Sequence, residues 1–563
     1  MVCLGEATST KRYELLVLFT FVASLLLYLQ NLDPSVSTIL DDSLEFQLVS
    51  YQPGITHPTG YPLYTILGKI FTLFPVGDVA YRVNLLSAVC GALTAALVAL
   101  IVAQLSGRRL AGFTAGVAFA ASPVFWSQST IAEVYTLSSL FIALTLYSAL
   151  LWQGSVVGNR PSIVWQRRWL WLLAFVFGLG LTHHRSIVLL LPALFVFVFV
   201  AGRKAAFDRL MLVGVVVCIV LPQLLYLYIP LRGVHLSSLD GSYANTLGGF
   251  LRHVTGIGYN TFLTDDPLSQ TRSLAYYARL FYAQFGPIGL ALSVLGFSFL
   301  LVRLRQAWAL FAAGFAVNTA FAFFYKVADV EVFFIPSFLF MALWLGLGLA
   351  LLMEAVVWLV TWSGSRPARS VEVEMAPGSQ PRDVWRPPMT MIGNWLAVIV
   401  PIAFLFALYP RVSAAYSYQD RSRDWQVYDY GRDMLEQPLE KNAVVVGILG
   451  EMTLLKYFQQ TEDMRPDIVT VAADDEEVRR QTVGDLLSAG TPVYLTRPLP
   501  GISEAYHLSA VGPLIRVQKR PGVVDVTPQF ETNAQLTDAL FLLGYSLNQV
   551  NRLGLLIVRL TLF

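Results

Sequence analysis

Run after run of apolar side chains, each close to the ~20 residues a helix needs to cross a bilayer, is the feature that most narrows what this chain can fold into. Candidate spans fall at residues 14–32, 84–105, 110–125, 131–152, 169–182, 186–201, 210–230, 286–302, 308–324, 332–361 and 391–409. That makes about eleven helices by length alone. In lipid each backbone N–H and C=O must be satisfied without water, so such runs are helical rather than open strands. Composition agrees, with 55% hydrophobic residues, 13% charged and a mean hydropathy of +0.58. The first run follows Lys11 and Arg12 as a signal peptide would. No small-x-small cleavage site follows it, and it is read as a retained anchor.

The expected class is therefore a polytopic α-helical membrane protein with the lipid bilayer as its solvent. A net charge of +2 with no basic run or basic-aromatic stripe excludes nucleic acid as a partner. Cys3, Cys90 and Cys218 lack CxxC spacing and are read as packing residues, neither a zinc site nor a disulfide framework.

Orientation follows from the short loops. Lys11/Arg12, Arg108/Arg109, Arg160/Arg167/Arg168, Arg203/Lys204/Arg209, Arg303/Arg305 and Arg366/Arg369/Arg382/Arg386 occupy alternate connections, which the positive-inside rule assigns to the cytoplasm. The other connections then face outward. They hold DDSLEF (from Asp41), HPTGYPLY (from His57), QSTIAEVY (ending at Tyr135), THHR (ending at Arg185), residues 232–284 and KVADVE (from Lys326). Every unusual polar cluster thus meets at one membrane face, where ionisable groups are retained for chemistry or transport.

Taken singly, each cluster has a plain reading beside the functional one. Asp41, Asp42 and Glu45 fit either a solvated loop or a general base or cation ligand. His57, with its neighbouring prolines and glycine, fits a turn or a phosphate contact. Glu133 fits a helix-dipole partner. His183, His184 and Arg185 break an apolar hairpin and fit either snorkelling to headgroups or an anion site. Lys326, Asp329 and Glu331 fit flanking charges.

After Tyr409 the chain becomes richer in charge. AVVVGIL (from Ala443), DIVTVA (from Asp467) and TPVYLT (from Thr491) are short β-branched runs separated by helical stretches at 452–460 and 476–489. This is a βαβ pattern, so residues 410–563 are expected to form a separate soluble α/β domain on the extracytoplasmic side. GILGE (Gly447 to Glu451) lacks the full dinucleotide fingerprint. The Pro-, Ser- and Arg-rich stretch 363–390 reads as a cytoplasmic linker.

In order along the chain, DDSLEF, HPTGYPLYTILGKIF, VAYRVNLLSAVCGAL, WSQSTIAEVYTL and GLTHHRSIVLLLP resemble the GT-C superfamily of integral-membrane glycosyltransferases. The resemblance is to a bacterial branch whose eukaryotic relatives O-mannosylate extracellular immunoglobulin-like domains. It covers residues 12–200 well and extends weakly through Asp329 to Phe338. It implies that residues 1–409 form a catalytic membrane domain, with its catalytic acids in an external loop, 33–83. It further implies transfer of a sugar, a hexose such as mannose, from a polyprenyl-phosphate carrier to an extracytoplasmic acceptor, either protein hydroxyls or a glycan. The family pattern of an acid, two residues and Glu-Phe falls on Asp42 and Glu45, making Asp42 the implied base and Asp41 the alternative in the doublet.

Physical chemistry asks for the same parts: a base near the acceptor oxygen and positive charge or strong donors near the leaving phosphate. Arg185 has the planar fork that suits phosphate, with His183, His184 or His57 beside it and Arg82 and Arg232 in reserve. Glu45, Glu133, Tyr135, Asp329 and Glu331 are candidates to orient the acceptor. No metal or other cofactor is expected, although the carboxylates could form a hard-cation site with Asp42. A transporter or flippase of lipid-linked sugars is the rival, but it would favour inverted repeats and polar groups near the midplane.

Overall fold

The computed structural model describes residues 13–39, 42–157, 162–206, 208–364, 389–520, 528–537, 540–552 and 555–562. Cys3, Lys11, Arg12, Asp41, Arg160 and nearly all of the expected linker, with Arg366, Arg369, Arg382 and Arg386, lie outside the described residues.

The first unit is helical. α1 (Glu14–Asn31) runs through an extended segment into the short pair α2 (Ser43–Tyr51) and α3 (Pro62–Phe71). α4 (Val79–Ser106), α5 (Arg109–Ala120), α6 (Pro123–Gln128), α7 (Tyr135–Val157) and α8 (Ile163–Leu181) follow. A 3-10 turn, Arg185–Leu190, leads into α9 (Leu191–Ala206), α10 (Arg209–Val220) and, through a second such turn, α11 (Tyr228–Gly233). Short helices α12 (Leu247–Thr255) and α13 (Thr261–Thr264) precede α14 (Leu274–Arg303) and α15 (Arg305–Phe324). The turn Val330–Phe334 opens α16 (Ile335–Gly364), and α17 (Met389–Ala397) and α18 (Ile399–Gln419) complete the unit.

Among the described residues, nine helical segments are long and apolar enough to cross a membrane, against the about eleven expected from length. All eleven apolar runs are largely helical, although 110–125 is divided between α5 and α6 and 131–134 precedes the start of α7. α5 has only 12 residues, and α8 carries Gln166, Arg167 and Arg168 in its first turns, which dilute its apolar character.

Helix ends follow local chemistry. Asp78 caps α4 by accepting the Tyr81 N–H at 2.8 Å, and Gly107, at φ +73°, terminates it in the left-handed conformation. Lipid gives helices little hydrophobic reason to associate, so small residues that allow close backbone approach do much of the work. In α5 the GFTAG stretch puts Gly112 and Gly116 against α4, where added Cβ atoms would stand 2.4 Å from the Ala99 carbonyl oxygen and 2.5 Å from that of Ala95. α14 and α16 approach as tightly, for a Cβ on Gly296 would fall 1.8 Å from the Trp344 carbonyl oxygen. Buried aromatics such as Phe119, Phe125, Trp126 and Trp152 fill the rest of the bundle core.

The chain divides into units Met1–Trp425 and Gln426–Phe563. The boundary lies beyond residue 409 because α18 continues through Pro410 to Gln419. The second unit opens with α19 (Gln426–Leu435), then β1 (Val444–Gly447), α20 (Leu449–Thr461), β2 (Val469–Ala472), α21 (Glu476–Ser488) and β3 (Val493–Leu495). These strands pair in parallel, with β1 between β2 and β3. β1 is buried throughout and accordingly reads as an unbroken apolar run. α22 (Ile502–Ala505) leads to β4 (His507–Val511) and β5 (Leu514–Gln518), an antiparallel hairpin that extends the sheet beyond β3. A separate antiparallel sheet follows, of β6 (Phe530–Thr537), β7 (Leu540–Arg552) and β8 (Leu555–Leu562). At the β1–α20 junction the Glu451 carboxylate accepts from the Ile448 N–H, the Thr496 hydroxyl and the Arg497 guanidinium. This side chain stands where a nucleotide phosphate would need the helix N-terminus.

Candidate active site

The site is built on α2 and α3. Gly68 of α3 lies under Ser50 of α2 so closely that a Cβ would sit 2.1 Å from the hydroxyl. Lys69 Nζ donates to the Tyr51 carbonyl at 2.7 Å, satisfying one of the carbonyls left open at the end of α2. Gln47 Nε2 donates to Asn84 Oδ1 at 2.9 Å. Asn84 Nδ2 donates onward to the carbonyls of Asp33 (3.1 Å) and Ser35 (3.2 Å). One amide therefore ties α2 to α4 and to the segment leaving α1.

Asp42 occupies the N-cap position of α2 without using its side chain as a cap, so the carboxylate is free for other contacts. Its Oδ2 lies 3.5 Å from His57 Nε2. Glu45, one turn on, grips His57 twice: Oε1 accepts the backbone N–H at 2.8 Å and Oε2 meets ring Nδ1 at 2.5 Å. Burial alone would lower the imidazole pKa, but the Glu45 charge and hydrogen bond, with Asp42 and Asp240, outweigh it and lift His57 to about 9. At neutral pH the ring is thus an imidazolium held between two carboxylates. Burial raises the Asp42 pKa, His57 draws it down and Glu45 pushes it up again, leaving it above the ordinary carboxylate range. The Asp42 side chain is nonetheless 57% accessible, against 15% for Glu45, so Asp42 is the acid a substrate can reach.

Across from this trio stands the turn after α8. His183 is fully buried, and its Nε2 donates to the Val134 carbonyl at 2.8 Å, which fixes the tautomer. Its ring stacks on Tyr64, 5.9 Å between centroids. His184 Nδ1 accepts from the Ser186 N–H and faces its hydroxyl, leaving Nε2 as the protonated nitrogen. Burial first, then a neighbouring imidazole, holds both histidines well below their ordinary pKa and therefore neutral. Positive charge here comes from Arg185. Its guanidinium lies 5.5 Å over the Tyr226 ring, and its Nε is buried without a protein partner among the described residues.

Tyr61 joins the two halves. Its ring lies 5.2 Å from His57, 6.0 Å from His184 and 6.3 Å from His183. Gly60 before it has φ +86°, and a Cβ there would come 2.4 Å from Ile229 Cδ1. Tyr135, at the start of α7, packs its ring 5.9 Å from His184. Asp329 has the Tyr135 side chain beside it, and burial raises its pKa with Asp42 contributing. Glu133 is buried and its carboxylate accepts the Val134 N–H at 3.3 Å.

Of the residues singled out in the sequence, Asp42, Glu45, His57, His183, His184, Arg185, Tyr135, Glu133 and Asp329 are gathered here. Three are placed otherwise. Arg82 gives Nε, Nη1 and Nη2 to the carbonyls of Val76, Thr72 and Gly77, each at 2.9 Å, closing the turn before α4. Arg232 donates to the carbonyls of Pro53 and Gln52 and braces the loop after α2. Glu331 accepts from the Tyr276 hydroxyl. These bonds tie the three side chains to neighbouring backbone and to Tyr276.

Three further residues belong to the neighbourhood. Asp240, turned by its bond to the Ser242 N–H at 3.0 Å, acts electrostatically on His57. Tyr61 and Tyr64 line the space between the histidines. Only the HPTGYPLY motif hinted at the tyrosines, and Asp240 lies in a long connection with no periodic signal. Asp42, Glu45 and His57 each also offer a ligand atom, all within 4.8 Å of one another, a donor set that suits a divalent cation.

Residues 42–206 match the family described as "Protein O-mannosyl-transferase TMEM260 N-terminal domain". The Dictyostelium discoideum protein O-mannosyl-transferase tmem260 is 24% identical over 485 residues, covering 80% of this chain and 56% of that protein. The Mus musculus protein O-mannosyl-transferase TMEM260 is 32% identical over 225 residues, 39% of this chain and 31% of its own length. The chain thus spans about half or less of the relatives it matches. Among solved structures, ArnT from Cupriavidus metallidurans bound to undecaprenyl phosphate aligns with a TM-score of 0.58 at 14% identity, covering 89% of this chain and 97% of that one. The same protein in the apo state gives 0.56 at 14% identity, over 90% and 98%. At this identity the likeness is one of fold.

Proposed function

The chain is a membrane protein of the GT-C fold related to the TMEM260 protein O-mannosyl-transferases, and on that premise we propose that it transfers a hexose, mannose, from a polyprenyl-phosphate carrier to protein hydroxyls. The observation that carries this reading is the Asp42–His57–Glu45 arrangement, an accessible carboxylate beside an imidazolium that a second carboxylate pins at 2.5 Å. Asp42 takes the acceptor proton. Its exposure lets an acceptor hydroxyl approach, and a carboxylate within reach of that proton can serve as a general base. His57 orients Asp42 and offsets the charge of the two acids, while Glu45 holds His57. On the donor side Arg185 binds the phosphate as its negative charge grows, with the neutral His184 Nε2–H as a second donor.

The positive-inside pattern supports an outward-facing site, so donor and acceptor would meet on the extracytoplasmic face. The relatives, protein O-mannosyl-transferases by name, support a protein acceptor, and the undecaprenyl phosphate bound to ArnT supports a polyprenyl-phosphate carrier. A divalent cation held by Asp42, Glu45 and His57 is a second reading, supported by their spacing. It would supply positive charge beside the acceptor oxygen, and its binding would release the His57 proton.

The test is transfer of radiolabelled sugar from a panel of polyprenyl-phosphate hexoses by the purified protein in liposomes, with secreted protein as acceptor. Label on protein from the mannose donor is the expected result. Label that crosses the bilayer without covalent transfer would favour a flippase and overturn the proposal.

A further inference from the structure

Tyr61 is held in a backbone conformation its sequence disfavours. It has φ +36° and ψ +50°, the left-handed region that side chains other than glycine rarely adopt. It also precedes Pro62, which pushes the preceding residue toward extended conformations. Such outliers persist only where surrounding structure holds them, and they concentrate where a side chain must be aimed. Here the holding is visible. The ring is wedged edge-on against Phe46 (5.5 Å) and His57 (5.2 Å) on one side and faces His183 and His184 on the other. Only 8% of the residue is exposed.

The geometry points to Tyr61 as a catalytic hydrogen-bond donor to the oxygen that bridges sugar and phosphate. This rests on the transferase reading above. In that reaction the acceptor oxygen bonds to the anomeric carbon and its proton passes to Asp42. The bond between that carbon and the bridging oxygen breaks, and its electron pair remains on the phosphate. The bridging oxygen therefore gains charge between the base at Asp42 and the phosphate ligand at Arg185. Tyr61 is the side chain whose ring touches both His57, beside Asp42, and His184, beside Arg185. Burial keeps the phenol protonated well beyond neutral pH, so it donates a hydrogen bond rather than a proton. Donors aimed at developing charge are worth more than donors aimed at the ground state, because they need no reorganisation during reaction.

The experiment uses the full chain in liposomes, radiolabelled undecaprenyl-phosphate-mannose as donor probe and a threonine-rich secreted protein as acceptor. Tyr61→Phe keeps the ring and removes the hydroxyl. The expected result is a fall in kcat of about 100-fold with donor KM and melting temperature within twofold and 2 °C, roughly, of the parent. Asp42→Asn is run beside it. No transfer by the parent chain overturns the transferase reading and this role together. Transfer lost in Asp42→Asn but kept within about threefold in Tyr61→Phe overturns the role of Tyr61 alone. If Tyr61→Phe misfolds, 3-fluoro- and 3,5-difluorotyrosine at position 61 decide the matter. A kcat that rises with phenol acidity upholds the donor, and a kcat flat across the series overturns it.

Discussion

Replacing Glu45 by Gln preserves the shape of the His57 clamp while removing its charge, and the consequence can be worked through. The imidazole moves from 6.5 to about 9 on folding, which corresponds to about 3 kcal/mol of linked stabilisation. Because the folded value lies above the unfolded one, that stabilisation is complete below pH 6.5 and is lost as pH rises through 9. Glu45 is the largest of the influences that raise it. Without its charge, burial is opposed only by Asp42 and Asp240, and His57 titrates at lower pH. Equilibrium unfolding in mixed detergent micelles at several pH values is the assay. The stability difference between the parent and Glu45→Gln should shrink by about 3 kcal/mol between pH 6.5 and 9.5, with Glu45→Gln the less stable at pH 6. Burial raises Asp33 to about 7, so it titrates too. It does so in both proteins, and the difference between the two curves cancels it. Parallel curves from pH 6.5 to 9.5 would refute the charged clamp. The same pair should differ in transfer, with activity in Glu45→Gln declining at lower pH than in the parent.

Asp42→Asn should reduce transfer by a factor of about 100 or more without changing donor binding, measured by radiolabelled donor retention on liposomes. Arg185→Ala should raise donor KM at least about tenfold, with Lys restoring only part of the loss, since a point charge cannot reproduce the guanidinium fork. Gly296→Leu should leave little folded protein by size-exclusion chromatography, because the Trp344 carbonyl leaves no room for a side chain. Chelator treatment decides the second functional reading: retained transfer in excess EDTA removes the cation, and loss restored by added divalent metal supports it.

Much of the fold was legible because lipid demands a simple code of apolar runs, and each of the eleven runs fell largely on helix. Length and dilution explain the two that fall outside the span criterion, α5 and α8. In the second unit the β-branched runs marked β1, β2 and β3. The mixed apolar and polar sequence of β7, LFLLGYSLNQVNR, gave no comparable strand signal. At the site the motifs identified which residues meet but not their states. The neutrality of His183 comes from burial and from the imidazole of His184, and its tautomer from the Val134 carbonyl before α7, none of which a motif records. Arg82 and Arg232 stood in reserve for the phosphate, and their carbonyl partners carry no mark in a sequence. Tyr61 was hidden inside a motif whose proline and glycine already explained a turn.

The Asn84 amide has a consequence for anyone mapping this protein by mutation. It faces Gln47 on the helix that carries Glu45 and two carbonyls of the segment leading to Asp42. It therefore sets the height of the acids while meeting no substrate. Losing it would tilt the platform without unfolding the bundle, and an activity screen would score Asn84 beside the base itself. Function-based maps of this site will thus draw it larger than it is, and only a binding measurement made alongside turnover will separate the residues that react from the residue that holds them level.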